Sequence, residues 1–366
     1  MTRPRVVIVG MGDTGVLSAV ALARQVEVVG VSVKPLFVSG QELGFRLARP
    51  DLWARDRRVD FDSFRGLDAV RVVHGKVVGV DTDSHVLRIE CADGGSDELT
   101  YDVLVIATGV SNGFWRDDRL LAVSDIDAER IAAHGRIAAA RSIVVVGGGP
   151  AAIGSAAQIA ERWPAKNVHL YFPGEQGLPR HHPGVWRRVR RRLEALGVVV
   201  HPGYRAVLPN DVTALTTGPV HWSTGQQDVT ADVVLWAIGK VRPHTEWLPA
   251  ALVDHDGFVR VHPDLRVCGV DDVFAIGDVA ATDPLRTSAR NRGHRLLERN
   301  VRAHLCGRPL RDYRPHERRW GSVLGPMRDG MVIYAPTGHG FRFPSWTVDS
   351  LLRRIIVRRG IYGGMR

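Results

Sequence analysis

The sequence predicts an α/β protein of two halves, each around a parallel sheet, and three observations carry that prediction. Two β-branched runs, Val6-Val7-Ile8-Val9 and Ile143-Val144-Val145-Val146, read as buried parallel strands. Each runs into a glycine-rich turn, Gly10-Met11-Gly12-Asp13-Thr14-Gly15 in one and Gly147-Gly148-Gly149-Pro150-Ala151-Ala152 in the other. Each turn then opens an Ala-rich helix, Val16 to Arg24 and Ala151 to Arg162. Strand, tight turn and helix in that order form a dinucleotide cradle. The glycines let backbone approach a pyrophosphate, and the helix start offers free N–H groups with partial positive charge. The predicted fold is therefore α/β with two Rossmann-like dinucleotide-binding domains, three-layered, one inserted in the other.

The remaining elements follow in order. Val26 to Val33 supplies a second strand, and Lys34 to Arg58 reads as an extended loop. Val70 to Asp81 and His85 to Cys91 alternate around Asp81-Thr82-Asp83-Ser84, a hairpin turn. Tyr101 to Gly109 is a strand ending in small residues. A polar helix over about 125–140 precedes the restart at Ser142. That second half gives a strand at Val168 to Phe172, a helix at Gly184 to Leu196, a strand at Val198 to His201 and a short β region over 203–230. Asp232 to Gly239 echoes Asp102 to Gly109, the mark of a repeated half. Asp272 to Asp278 is another strand and turn, followed by a helix at about 287–305. From 313 onward the sequence is irregular, with an apolar-basic end at Trp346 to Arg359. The expected division is 1–115 with 263–312, an inserted 116–262, and a C-terminal region 313–366.

Composition narrows the function. With 366 residues and 45% apolar content, the chain has ample core for two or three domains. No run approaches the ~20 apolar residues that span a bilayer, and the first apolar stretch leads straight into a glycine turn, so a cytoplasmic location is expected. Cys91, Cys268 and Cys306 stand far apart, so no redox disulfide or zinc ribbon is read from their spacing. Any electrons handled here would therefore pass directly to a small acceptor, without a dithiol relay. No metal-ligand spacing stands out among the 15 histidines, and no metal is expected. Net charge is +10, and only four of the 49 basic residues are lysine, which favours anionic surfaces, membranes included. The run Arg187 to Arg192 lies on a helix whose inner face Trp186 and Leu193 mark. A solvated face explains it more simply than nucleic acid does.

Two cradles in one chain suit hydride transfer from a nicotinamide to a flavin. Over roughly residues 5–312 the ordered motifs resemble pyridine-nucleotide-dependent flavoprotein oxidoreductases. Lys34 closing the second strand, Arg46 in the loop after it, Gly75-Lys76-Val77-Val78-Gly79-Val80-Asp81, Ala107-Thr108-Gly109 and Ile276-Gly277-Asp278 are similar to the ferroptosis-suppressor and apoptosis-inducing-factor-like group, beside the type II NADH dehydrogenases. The resemblance implies an FAD domain in 1–115 and 263–312 and an NAD(P)H domain in 116–262. Gly10, Gly12 and Gly15, with Asp13 and Thr14 on the same turn, would seat the FAD pyrophosphate. Ser32 stands where a carboxylate would grip the adenosine ribose, offering one hydrogen bond without charge assistance. Lys34 and Arg46 would contact phosphate, and backbone at Val77 the adenine. Asp278 would bond the ribityl chain, a plain helix N-cap being its alternative.

For the nucleotide, Gly147, Gly149, Pro150, Ala151 and Ala152 would hold the pyrophosphate, with Gly239 the counterpart of Gly109. Gly154 stands where relatives carry a glutamate near the nicotinamide, and Gln158 at a second acidic position. Phe172 replaces the acid that would read the ribose 2′-hydroxyl, removing repulsion of a 2′-phosphate. Arg180, His181 and His182 lie just beyond, either to pair with that phosphate or as an exposed basic loop, so both NADH and NADPH stay open. The resemblance further implies a quinone-like acceptor, while Thr287 to Gly293 lacks the glutamines that type II NADH dehydrogenases carry there. Reduction of a ferredoxin-type protein is one alternative, and a signalling or nucleic-acid-binding flavoprotein with weak catalysis another. A helix over 346–359 would either lie on the inner face of a membrane or dock on its own domain. A homodimer is left open. Hydride transfer itself needs no protein acid or base, so no catalytic side chain is named.

Overall fold

A computed structural model describes residues 3–111, 118–210, 212, 215–239, 241–282, 293–315, 317–348 and 364–366. The chain opens with β1 (Arg5–Val9), α1 (Asp13–Leu22) and β2 (Glu27–Ser32). A short strand pair, β3 (Phe37–Val38) and β4 (Arg58–Val59), brackets α2 (Leu43–Ala48) and α3 (Pro50–Arg57). Next come β5 (Val70–Asp81), β6 (Val86–Cys91), β7 (Ser96–Thr100), β8 (Val103–Ile106) and β9 (Val110–Ser111). After α4 (Val123–Ala139) the second sheet forms from β10 (Ser142–Val146), α5 (Pro150–Arg162), β11 (Asn167–Phe172), α6 (Pro183–Ala195), β12 (Val199–Pro202), β13 (Thr216–Val220) and β14 (Val229–Trp236). The chain returns through β15 (Arg242–Pro243) to β16 (Val273–Ala275) and α7 (Gly293–Leu305). It then adds β17 (Gly321–Ser322), β18 (Met331–Tyr334), β19 (Gly340–Phe343) and α8 (Ser345–Thr347).

The first sheet runs β16-β8-β1-β2-β5-β6-β7, parallel from β16 to the start of β5 and an antiparallel meander beyond. The second runs β12-β11-β10-β14-β13, with only β13 antiparallel. Central strands β1 and β10 are buried on both faces, as covered parallel sheets require. Val9 pairs with Ile106 in one sheet, and Val146 with Trp236 in the other. The echo between Asp102 and Asp232 has a physical basis. Asp102 Oδ2 accepts from the Arg5 N–H, and Asp232 Oδ2 from the N–H groups of Arg141 and Ser142, so each carboxylate ties the start of a glycine-turn strand.

Two expectations need correction. Residues 34–58 are not an extended loop, since α2 and α3 occupy most of that span. Leu47 and Trp53 are buried there, and Pro50 starts α3 at a position where its missing N–H costs nothing. The region after 313 is not irregular either: β17, β18 and β19 form an antiparallel sheet. The apolar-basic segment beyond Val348 lies largely outside the described residues, as do Thr287 to Arg292. Among the described residues no helix is long and apolar enough to cross a membrane.

Candidate active site

Sterics impose the first cradle. Gly10 has φ +100, and a Cβ there would sit 2.5 Å from the Ala107 carbonyl oxygen. At Gly15 a Cβ would fall 1.8 Å from the Gly10 carbonyl oxygen, so helix α1 approaches its own turn only with glycine present. Gly12 caps α1 without a side-chain partner, and a Cβ built on it meets nothing within 4 Å. The turn is thus packed behind and open in front, where a pyrophosphate fits against unsatisfied N–H groups. Asp13 turns aside: its carboxylate accepts from Ser39 Oγ (2.7 Å) and the Gly40 N–H (2.9 Å), tethering the loop after β3. Thr14 abuts Gly277, whose added Cβ would lie 3.0 Å from Thr14 Oγ1, so the turn before Asp278 meets the start of α1.

Around this cradle, Ser32 Oγ donates to the Lys34 carbonyl (2.7 Å) and accepts from the Lys34 N–H (3.2 Å). Its donor is committed, and one lone pair remains to accept from a ribose hydroxyl. Arg46, on α2, is 2% exposed, with its guanidinium over the Trp53 ring at 5.0 Å. Val77 is buried in β5 beside a bulge between Val77 and Gly79.

The second cradle repeats the first with changes. Gly147 has φ +140, and its Cβ would stand 2.1 Å from the Ala237 carbonyl oxygen, the counterpart of Ala107. Ala152 takes the place of Gly15. Gly149 caps α5, again without a side-chain partner and with open space before it, and Pro150 follows in the first turn. The twin strand-ending glycines, Gly109 and Gly239, share φ +73 and +74. Phe172 ends β11 with its ring packed edge-on to Trp186 at 5.4 Å, in the apolar core. At Gly154 a Cβ would lie 2.7 Å from the Val323 carbonyl oxygen. The space that a side chain at position 154 would need is therefore taken by the loop after β17. Gln158 supports that loop, donating to the Leu324 and Pro326 carbonyls while accepting from Arg49.

The connection between the halves carries a histidine that sequence reading did not single out. β9 and β15 pair antiparallel, Ser111 with Arg242 and Val110 with Pro243. Beside them His244 bonds Ser111 Oγ (2.8 Å) and the Thr108 carbonyl (3.0 Å), while Thr108 Oγ1 donates to the His244 carbonyl. Nearby, Asp118 takes Lys76 at 2.9 Å and Arg242 at 3.6 Å. Burial pushes the Asp118 carboxyl up, but the Lys76 hydrogen bond and charge outweigh it and hold it below its usual value. Burial holds His244 below its ordinary pKa despite the Thr108 carbonyl. It lowers His169 likewise, and His201, where the neighbouring His169 adds to the effect. These imidazoles protonate more readily unfolded, so their stabilisation is complete above pH ~6.5 and lost as pH falls through the lower folded values. Melting temperature should drop between pH 7 and 5, and His244→Gln should flatten part of that drop. A pH-independent melting temperature would contradict this.

Both cradles open into one cavity of about 2180 Å³. That is about twice the upper end of the 300–1,000 Å³ usual for a single small ligand. Every residue expected to bind a dinucleotide borders it except Gly15, Ala152 and Gly277, which pack behind the two turns, and His182, which caps α6. Asp278 borders it on the side of the first cradle. The residues present therefore fit two dinucleotides. Among the described residues no group of three or more His, Cys, Asp or Glu could hold a metal. Sequence reasoning also missed the wall from Arg319 to Gly325, because its strands are too short to leave a period and its contacts are distant in sequence.

Two cradles sharing one cavity define an oxidoreductase that works with a pair of dinucleotides. The chain belongs to the pyridine nucleotide-disulphide oxidoreductase family, whose pattern matches residues 4–302. FAD is its cofactor and NAD(P)H its co-substrate. Ferroptosis suppressor protein 1 of Xenopus tropicalis is 27% identical over 332 residues, spanning 85% of this chain and 83% of that protein. Demethylphylloquinone reductase NdbB of Synechocystis is 25% identical over 395 residues, spanning 97% and 91%. An engineered water-forming NADPH oxidase solved with NADPH has the same fold, with a TM-score of 0.66 at 18% identity over 90% of this chain and 74% of that one.

Proposed function

We propose that this chain takes hydride from NAD(P)H onto FAD and passes the electrons to a quinone-like small acceptor. The observation that carries the reading is the shared cavity: both glycine turns and Asp278 border it, so two flat rings bound there can stack. In this reading residues 1–115 and 263–312 hold FAD, and 116–262 hold NAD(P)H. When bound, the flavin supplies the step between a two-electron donor and a one- or two-electron acceptor.

The chain's own residues seat, orient and shield. The starts of α1 and α5 offset pyrophosphate charge. Buried Arg46 and Lys34 add positive charge on the FAD side, Ser32 accepts from a ribose hydroxyl, and Asp278 accepts from the ribityl hydroxyls. For the acceptor, Leu43, Phe45, Val323, Leu324 and Ile333 give an apolar wall beside Gly154, suited to a flat apolar ring. The name of the NdbB relative, a demethylphylloquinone reductase, supports the same class. Exposed Trp320, Phe341 and Trp346 support contact with a membrane surface at the inner face, where such an acceptor dissolves.

Anaerobic NADH or NADPH should bleach the visible flavin absorbance, and a soluble quinone should restore it. No bleaching with either nucleotide sinks the reading. Asp278→Ala should weaken FAD binding about tenfold or more, the size of a lost hydrogen bond to a charged group. Full flavin retention in that variant would remove its assigned role.

A further inference from the structure

We propose that the nucleotide site selects NADPH, with Arg205 and Arg180 gripping its 2′-phosphate. The proposal rests on the preceding reading of residues 116–262 as the nucleotide half. In a half of this kind, the end of the second strand faces the adenosine ribose. Here that strand is β11, and its end lies against the cradle, since a Cβ added at Gly148 would be 3.1 Å from Phe172 Cβ. The Phe172 side chain is 1% exposed and turned into the core. It brings neither a carboxylate to a ribose hydroxyl nor a charge to repel a phosphate. The segments that line this end of the cavity, from Phe172 to His181 and from Tyr204 to Leu208, bring no acidic side chain to it: Glu175, in the loop after β11, is exposed and does not border the cavity, while the bordering Arg180 and Arg205 are exposed.

Backbone contacts hold both arginines in place. Around Arg205, the Tyr204 N–H donates to the Phe172 carbonyl (3.0 Å) and the Gly203 N–H to the Gly174 carbonyl (3.1 Å), zipping this segment along the end of β11. The Arg205 N–H donates to Thr224 Oγ1 (3.1 Å), and its carbonyl accepts from the Ser223 N–H (2.8 Å). Around Arg180, Leu178 adopts φ +58 and gives its N–H to the Gly148 carbonyl at 2.7 Å. A left-handed leucine persists only where its surroundings enforce it, and here they fix the loop to the cradle itself. The Arg180 carbonyl accepts from the Arg319 N–H at 3.1 Å. His182 is used elsewhere: its Nδ1 accepts from the Gly184 N–H and caps α6. Two guanidinium forks carried by separately anchored segments match a phosphate in charge and shape, whereas a bare 2′-hydroxyl gives them nothing to offset.

The test is calorimetric titration of the flavin-loaded protein with 2′,5′-ADP and with 5′-AMP, which differ only in the 2′-phosphate. The wild type should bind 2′,5′-ADP at least tenfold more tightly, and the gap should narrow as salt rises. Arg205→Ala and Arg180→Ala should each weaken 2′,5′-ADP about tenfold while leaving 5′-AMP within about twofold. Equal wild-type affinities, or equal loss of both nucleotides in the variants, would overturn the proposal, as would flavin bleaching by NADH as fast as by NADPH. Bleaching by neither nucleotide defeats the oxidoreductase reading instead, and the titration then still decides the 2′-phosphate preference.

Discussion

Gly147→Ala is expected to give a folded, yellow protein that no longer responds to NAD(P)H. The added methyl would lie 2.1 Å from the Ala237 carbonyl oxygen, at a φ of +140 that L-residues rarely adopt. Both partners are backbone, so no side-chain rotation relieves the clash. The turn must rotate, carrying the N–H groups of the α5 start away from the pyrophosphate. In the proposed reading the loss falls on nucleotide binding, since the cradle assigned to flavin belongs to the other sheet. Efficiency with NAD(P)H should drop at least ~100-fold, a barrier increase of about 2.7 kcal/mol. Dithionite should still reduce the flavin at the wild-type rate. Gly10→Ala, with φ +100 and the Ala107 oxygen at 2.5 Å, should do the converse and yield colourless protein. Stopped-flow reduction and the flavin-to-protein absorbance ratio check both variants. Flavin loss in Gly147→Ala would show that the cradles are not separable.

Introducing at position 154 the glutamate that the resemblance implies there should harm the protein. In Gly154→Glu the new Cβ would sit 2.7 Å from the Val323 carbonyl oxygen, a clash with backbone on a buried helix face that also has to take in the carboxylate beyond it. α2 packs tightly here too: a Cβ on Gly44 would lie 2.6 Å from the Gly154 carbonyl oxygen. Overpacking together with a buried charge should cost about 2–4 kcal/mol. Scanning calorimetry should show melting several degrees lower, with flavin content falling as the loop after β17 is displaced. Unchanged melting with faster flavin reduction would mean that the loop yields and that the carboxylate's absence is a catalytic deficit.

The paired parallel sheets were legible because their signals are local and strong. Val6–Val9 and Ile143–Val146 are buried on both faces, so the chain itself spells a central strand, and the glycines that follow answer clashes only a few residues away. The repeat of Asp102 in Asp232 was legible for the same reason. What stayed hidden depends on distant partners. α2 and α3 stayed hidden in a span read as an extended loop: Gly44 turns out to be a helix–helix contact and Pro50 a helix start. His244 has no local signature, and only the meeting of β9 with β15 brings it to Thr108 and Ser111. Gly154 could be read as a departure, but that a carbonyl fills its place follows only from the path of a C-terminal loop. That Phe172 is no acid was plain, yet which basic residues border that end of the cavity was only half visible. Arg180 follows it closely in sequence, whereas Arg205 reaches it from beyond another helix and strand.

The pairing of Val110–Ser111 with Arg242–Pro243 also bears on how such a chain could arise. The outgoing and incoming strands lie side by side, and β8 and β16 remain neighbours as though nothing had been spliced between them. The chain crosses between the halves through a seam one hairpin wide, while α2 packs separately on α5, where Arg49 bonds Gln158 and Glu161. A segment that leaves and returns at neighbouring strands can be accommodated without breaking the host sheet, provided that it keeps the face that fits α2.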